Sequence, residues 1–142
     1  MNLQAAHHEA GHAAVAEFLT GVPARIELWR ESRDGATWVR GRCYHSTPNT
    51  AEHARLIALA GAVAETLAGP AGSNSGQALL QPTLRAVSPS DAIGAGAFDV
   101  ADLDRCLAMV RTLWPQIQAR ARLEVNLFQR REVAGVAARA FI

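Results

Sequence analysis

Three residues near the start of the chain have the types and spacing for metal-assisted hydrolysis. His8-Glu9-Ala10-Gly11-His12 is an H-E-x-x-H motif. On a helix, residues four apart lie one above the other on one face, about 6 Å apart along the axis. Two imidazoles so placed reach one zinc ion, each offering a nitrogen at about 2.0–2.1 Å. Glu9, one step round the helix, points alongside the metal and takes a proton from its water, the role of a general base. His7 reads as a neighbour of the site and not as a ligand. Without a third donor, the same residues are ordinary helix histidines beside a solvated glutamate.

A catalytic zinc takes three protein ligands and keeps one position open. A third histidine six residues after His12 would mark a metzincin, but Phe18 stands there. A thermolysin-like glutamate about 20 residues downstream would be Glu31, which falls at a hairpin turn. The carboxylates that remain in question are Glu65, Asp91 and Asp99. Asp99 opens a helical pattern, where a carboxylate is well placed whether it binds metal or only caps the helix. Asp91, in Ser88-Pro89-Ser90-Asp91, competes for the ligand role. Glu65 is the sole charge between Leu56 and Ala68, and an unpaired buried carboxylate is costly, so it needs a partner. The first reading of Glu65 is a carboxylate that orients a zinc-bound histidine; it is also an alternative ligand, or an edge residue in solvent.

The sequence resembles the peptidase domain of the FtsH-type membrane-bound, ATP-dependent zinc metalloproteases. His7-His8-Glu9-Ala10-Gly11-His12-Ala13 is close to that family's Tyr-His-Glu-Ala-Gly-His-Ala. Ala60-Gly61-Ala62-Val63-Ala64-Glu65 is similar to its Gly-Gly-Arg-Ala-Ala-Glu, and Phe98-Asp99-Val100 to its Asn-Asp followed by Ile or Leu, in the same order. The resemblance implies Asp99 as the third zinc ligand. It departs where the family's Ser-Asn reads Ala97-Phe98 and where the loop ahead is longer.

The elements that must position these residues are mostly helical. Of 142 residues, 29 are alanine, a bias towards helix, and the length suits one domain over residues 1–142. The expected fold is mainly α, a single-domain helical bundle with a small β-hairpin near the zinc-binding helix. Leu3 to Thr20 reads as the first helix, stopped by Gly21 and Pro23, with His8, His12, Val15 and Leu19 on its inward stripe. Ile26 to Arg30 and Ala36 to Tyr44 flank Asp34-Gly35, a hairpin turn signal. Pro48 and Asn49 open a second helix, with Glu52 three residues beyond Asn49, running to Gly69-Pro70. From Ala71 to Ala97 the composition predicts a long loop, with at most a short turn around Leu79 to Leu84. Val100, Leu103, Leu107, Val110 and Trp114 predict a third helix broken near Pro115, and one or two further helices complete the chain.

A net charge of +1 with scattered arginines argues against a nucleic-acid partner. The longest apolar stretch, Leu56 to Ala64, is far short of a membrane span. Cys43 and Cys106 read as reduced thiols, which suits a cytoplasmic setting. The expected function is a Zn2+-dependent metallopeptidase acting on extended or unfolded polypeptides. Trp38, Val39, Arg40, Gly41 and Arg42 offer main-chain groups that pair with an extended peptide, as the resemblance also implies. The chain holds no G-x-x-x-x-G-K-[ST] loop, so unfolding a substrate requires a separate ATPase; a homo-oligomer is a further expected assembly. The alternative is a catalytically silent peptidase-like fold kept as a binding or regulatory module.

Overall fold

Alanine and leucine at helical spacing make Gln4–Thr20 a helix, α1, which ends where Gly21 adopts a positive φ. The computed structural model describes residues 4–69 and 75–140. Within them the chain forms six helices and one two-stranded sheet, the mainly α architecture that the composition predicts. After α1 come β1 (Arg25–Arg33) and β2 (Ala36–Tyr44), antiparallel, with Arg33 opposite Ala36 and Arg25 opposite Tyr44. Asp34 and Gly35 both take positive φ, 51° and 80°, as a two-residue hairpin turn of the primed type demands.

α2 (Ala51–Ala68) is capped by Thr50, whose hydroxyl accepts the His53 amide, one residue later than Asn49 suggests. Gly11 of α1 lies against α2 so closely that a Cβ there would stand 2.6 Å from both the Ala60 carbonyl oxygen and the Ala64 Cβ. The expected loop is corrected by two helices, α3 (Gly76–Ala86) and α4 (Pro89–Ala95), while residues 71–74 lie outside the described residues. Ser75 caps α3 and Ser88 caps α4, each accepting an amide three residues on. α5 (Val100–Thr112) is followed at once by α6 (Trp114–Ala140). Pro115 therefore sits in the first turn of a new helix, where its missing N–H costs nothing.

The core lies where α1, α2, α3, α5 and α6 meet, around Val15, Ile57, Leu59, Val63, Leu79, Leu103, Val110 and Ile117, all fully buried. The inner face of β1 joins it through Ile26 and Leu28. Arg120 of α6 ties three parts together, donating to Ala24 O at 2.9 Å and Glu124 at 3.0 Å and pairing with Glu17 of α1. Among the described residues no helix is long and apolar enough to cross a membrane.

Candidate metal centre

His8 and His12 of α1 have their Nδ1 atoms engaged from behind. His12 Nδ1 stands 2.7 Å from the carbonyl oxygen of Ile57, which only accepts, so Nδ1 carries the proton. His8 Nδ1 donates to Glu65 Oε2 at 2.9 Å. Each Nε2 therefore faces forward, away from its anchor. What makes room for the pair is Gly61 of α2, where a Cβ would stand 2.7 Å from both His8 Nε2 and His12 Cε1. The small-residue run containing Gly61 thus has a purpose that the chain pattern alone does not disclose.

The carboxylate in front of the two Nε2 atoms belongs to Asp91. Its Oδ2 is 3.0 Å from His8 Nε2 and 3.3 Å from His12 Nε2. The three ligand atoms all lie within 4.8 Å of one another. Held this close, the ring nitrogens and the carboxylate oxygen need a proton or a metal ion between them. In the metal-free protein a proton serves. Burial alone would push the His8 pKa down, but hydrogen bonds to Asp91 and Glu65, with Glu9 nearby, outweigh it and raise it to about 10. Burial alone would raise the Asp91 pKa; the facing His12 and His8 instead hold it well below the usual carboxylate range.

Asp99, the expected third ligand, is not brought to the histidines. Its Oδ1 accepts the Asp102 amide at 2.9 Å while Asp102 Oδ2 accepts the Asp99 amide at 3.0 Å, a closed capping box at the start of α5. A carboxylate with its own helix to cap is already satisfied. Asp91 stands before the histidines instead because α4 packs on α2, with Gly94 so near that a Cβ would lie 3.2 Å from Ala58 Cβ. Arg55 of α2 fastens the junction between α4 and α5, donating to Ala95 O at 3.2 Å and pairing with Asp102 at 3.6 Å. Ser88-Pro89-Ser90-Asp91 carried the signal for α4: a serine cap, proline in the first turn and an acidic residue in that turn.

Glu9 lines the same cavity of about 490 Å³ as the three donors. Burial raises its pKa, the nearby His12 and His8 opposing, so its carboxylate is a stronger base than one in water. Gly41 of β2 lies over it, where a Cβ would stand 2.6 Å from Glu9 Cγ. Of the segment expected to meet substrate, Arg40, Gly41 and Arg42 line the cavity, whereas Trp38 and Val39 do not. Trp29, Cys43 and His45 line it as well, residues the sequence did not assign to the site. Burial pushes the Cys43 thiol up to about 12, so it is not the thiolate that a nucleophile requires.

Among the described residues β2 pairs only with β1, so its other edge is free. In a two-residue hairpin the residues flanking the turn form a bonded pair, and bonded pairs recur at every second residue. Counted from Arg33 and Ala36, Val39, Gly41 and Cys43 turn their main-chain groups to the free edge. No protein-family model matches this chain, and no curated protein aligns with it significantly.

Proposed function

We propose that the chain is a zinc-dependent peptidase whose metal is held by His8, His12 and Asp91, with Glu9 as the general base. One observation carries this reading: the two Nε2 atoms and the Asp91 oxygen lie within 4.8 Å of one another, each imidazole already anchored through Nδ1. That donor set, two nitrogens and a carboxylate oxygen, suits zinc with one position left open. When bound, zinc polarises the peptide carbonyl and lowers the pKa of the attacking water.

The protein's own residues do the rest. Glu9 takes the proton from the attacking water as its oxygen bonds to the carbonyl carbon. The same carboxyl then gives that proton to the amide nitrogen as the carbon–nitrogen bond breaks, which frees an amine and a carboxylic acid. The free edge of β2 pairs with the substrate main chain as an added strand, Gly41 setting the peptide against Glu9. Glu65 holds His8 in the tautomer that offers Nε2. The heptapeptide around His8 supports the likeness to FtsH-type peptidases; the Phe98-Asp99-Val100 part of it does not carry over, since Asp99 is a helix cap here.

Metal content and peptide turnover test the proposal together. Protein purified without added metal should hold about one zinc per chain and hydrolyse a quenched, unstructured peptide. Glu9→Gln should keep the zinc and lose turnover by at least about 100-fold, the scale of one general base. Zinc bound without turnover in the native chain would leave a binding module in place of an enzyme.

A further inference from the structure

The carboxylates that line the cavity stand on its helical side, Glu9 and Asp91 beside His8 and His12, and its β2 side carries Arg40, Arg42 and His45. Two of those three cationic or basic groups are spoken for in part. Arg40 bonds Glu31 Oε2 at 3.5 Å, and His45 donates through Nδ1 to its neighbour Ser46 O at 2.9 Å. Arg42 differs: its guanidinium stands 5.3 Å from the Tyr44 ring centroid, and among the described residues no carboxylate pairs with it. It is close enough to Glu9 to stabilise that carboxylate's charge, without forming an ion pair with it.

Strand geometry says what Arg42 would meet. Residues directly opposite one another on paired strands share a face of the sheet. A substrate residue opposite Gly41 lies against Glu9 at the point of cleavage, so the residues just before and after it lie opposite Arg40 and Arg42 and share their face. We infer that Arg42 selects substrates bearing a carboxylate next to the scissile bond, on an aspartate or glutamate side chain or at a chain terminus. The inference rests on the peptidase reading above and adds a substrate class to it. An exposed ion pair of this kind is worth up to about 1 kcal/mol, so a preference of about fivefold is expected, falling with salt.

Zinc-loaded protein should be given quenched peptides differing at one position beside the cleaved bond, Glu, Gln or Lys, with amidated ends. A second arm uses the Gln peptide shortened to end beside that bond, as free acid and as amide. The native chain should show a kcat/KM ratio of about five for Glu over Gln, if the side chain is the source, or for acid over amide, if the terminus is. In Arg42→Gln that ratio should fall to about one, and in Arg42→Glu the Lys peptide should become the favoured one. A ratio that stays at five in Arg42→Gln, or is one in the native chain, overturns the inference while leaving the peptidase standing. Binding of the same peptides to Glu9→Gln, read by fluorescence anisotropy, gives the ratio without turnover. Absence of hydrolysis by the native chain therefore removes the peptidase reading, whereas equal binding of the Glu and Gln peptides and of the acid and amide removes the carboxylate preference.

Discussion

His8 and His12 stand on a helix of 17 residues buried along much of its length, whereas Asp91 stands on a helix of seven residues of which only Ala95 is buried. The histidines are fixed by the packing that makes the fold: α1 cannot be lifted from α2 without opening the core. Asp91 is fixed by a few local contacts, the Ser88 cap, the close seat of Gly94 on Ala58 and the Arg55 bond to Ala95 O. One half of the site is therefore as stable as the domain, and the other is only as stable as its fastenings.

The largest effect should follow from breaking the α1–α2 half. In Gly11→Ala the new methyl meets a backbone oxygen and a methyl of α2, neither of which can turn aside. Overpacking of this kind costs roughly 1–3 kcal/mol. A scanning calorimeter should record a fall in Tm on the order of 5 °C. Zinc binding should weaken in the same variant, because both donors ride on α1.

Substitutions on the other half should separate metal from fold. Asp91→Ala should leave circular dichroism nearly unchanged, lower the Tm of the chelated protein through loss of its pairs with His8 and His12, and weaken zinc binding by at least about 100-fold, more than the roughly 10–100-fold of an outer partner. Asp99→Ala should differ chiefly in the metal, costing about 1 kcal/mol of stability for a lost cap and weakening zinc less than about tenfold. Competition with a chromophoric chelator reads both affinities. Equal zinc affinity in Asp91→Ala and the native protein would refute the donor set.

A smaller effect sharpens the comparison through pH. In the metal-free protein the raised His8 pKa means that its contribution to stability is complete below 6.5 and is lost as pH rises through about 10. Asp91, lowered, contributes above 3.8 and loses that contribution as pH falls. Zinc must displace the His8 proton, so apparent affinity should rise by about tenfold per pH unit over the lower part of that range. The gap in Tm between zinc-loaded and chelated protein should accordingly widen from pH 6.5 upwards.

The sequence disclosed what depends on near neighbours. His8, Glu9 and His12 are set by one turn of helix, Asp34-Gly35 by one hairpin, and Glu65 by its isolation in an apolar run. α3 and α4 were hidden because Pro82 interrupts one and the other is too short to show a period. The choice between Asp91 and Asp99 lay deeper still. Each aspartate lies at a helix start, so local pattern treats them alike. Packing of α4 on α2 separates them, and no spacing in the chain encodes that contact.

The Arg55 junction has a consequence for anyone who maps this protein by mutation. Asp99 closes its box with Asp102, Asp102 pairs with Arg55, and Arg55 holds the end of the helix that carries Asp91. The two aspartates are thus joined by a chain of contacts that runs through Arg55. A screen that reads hydrolysis alone would score Asp99, Asp102, Arg55 and Asp91 as one group of hits and grade them by severity. Nearness to the proposed metal site and severity of loss would fall in the same order along that relay, and Asp99, the residue that the resemblance to FtsH-type peptidases implies as ligand, would register as its weakest member.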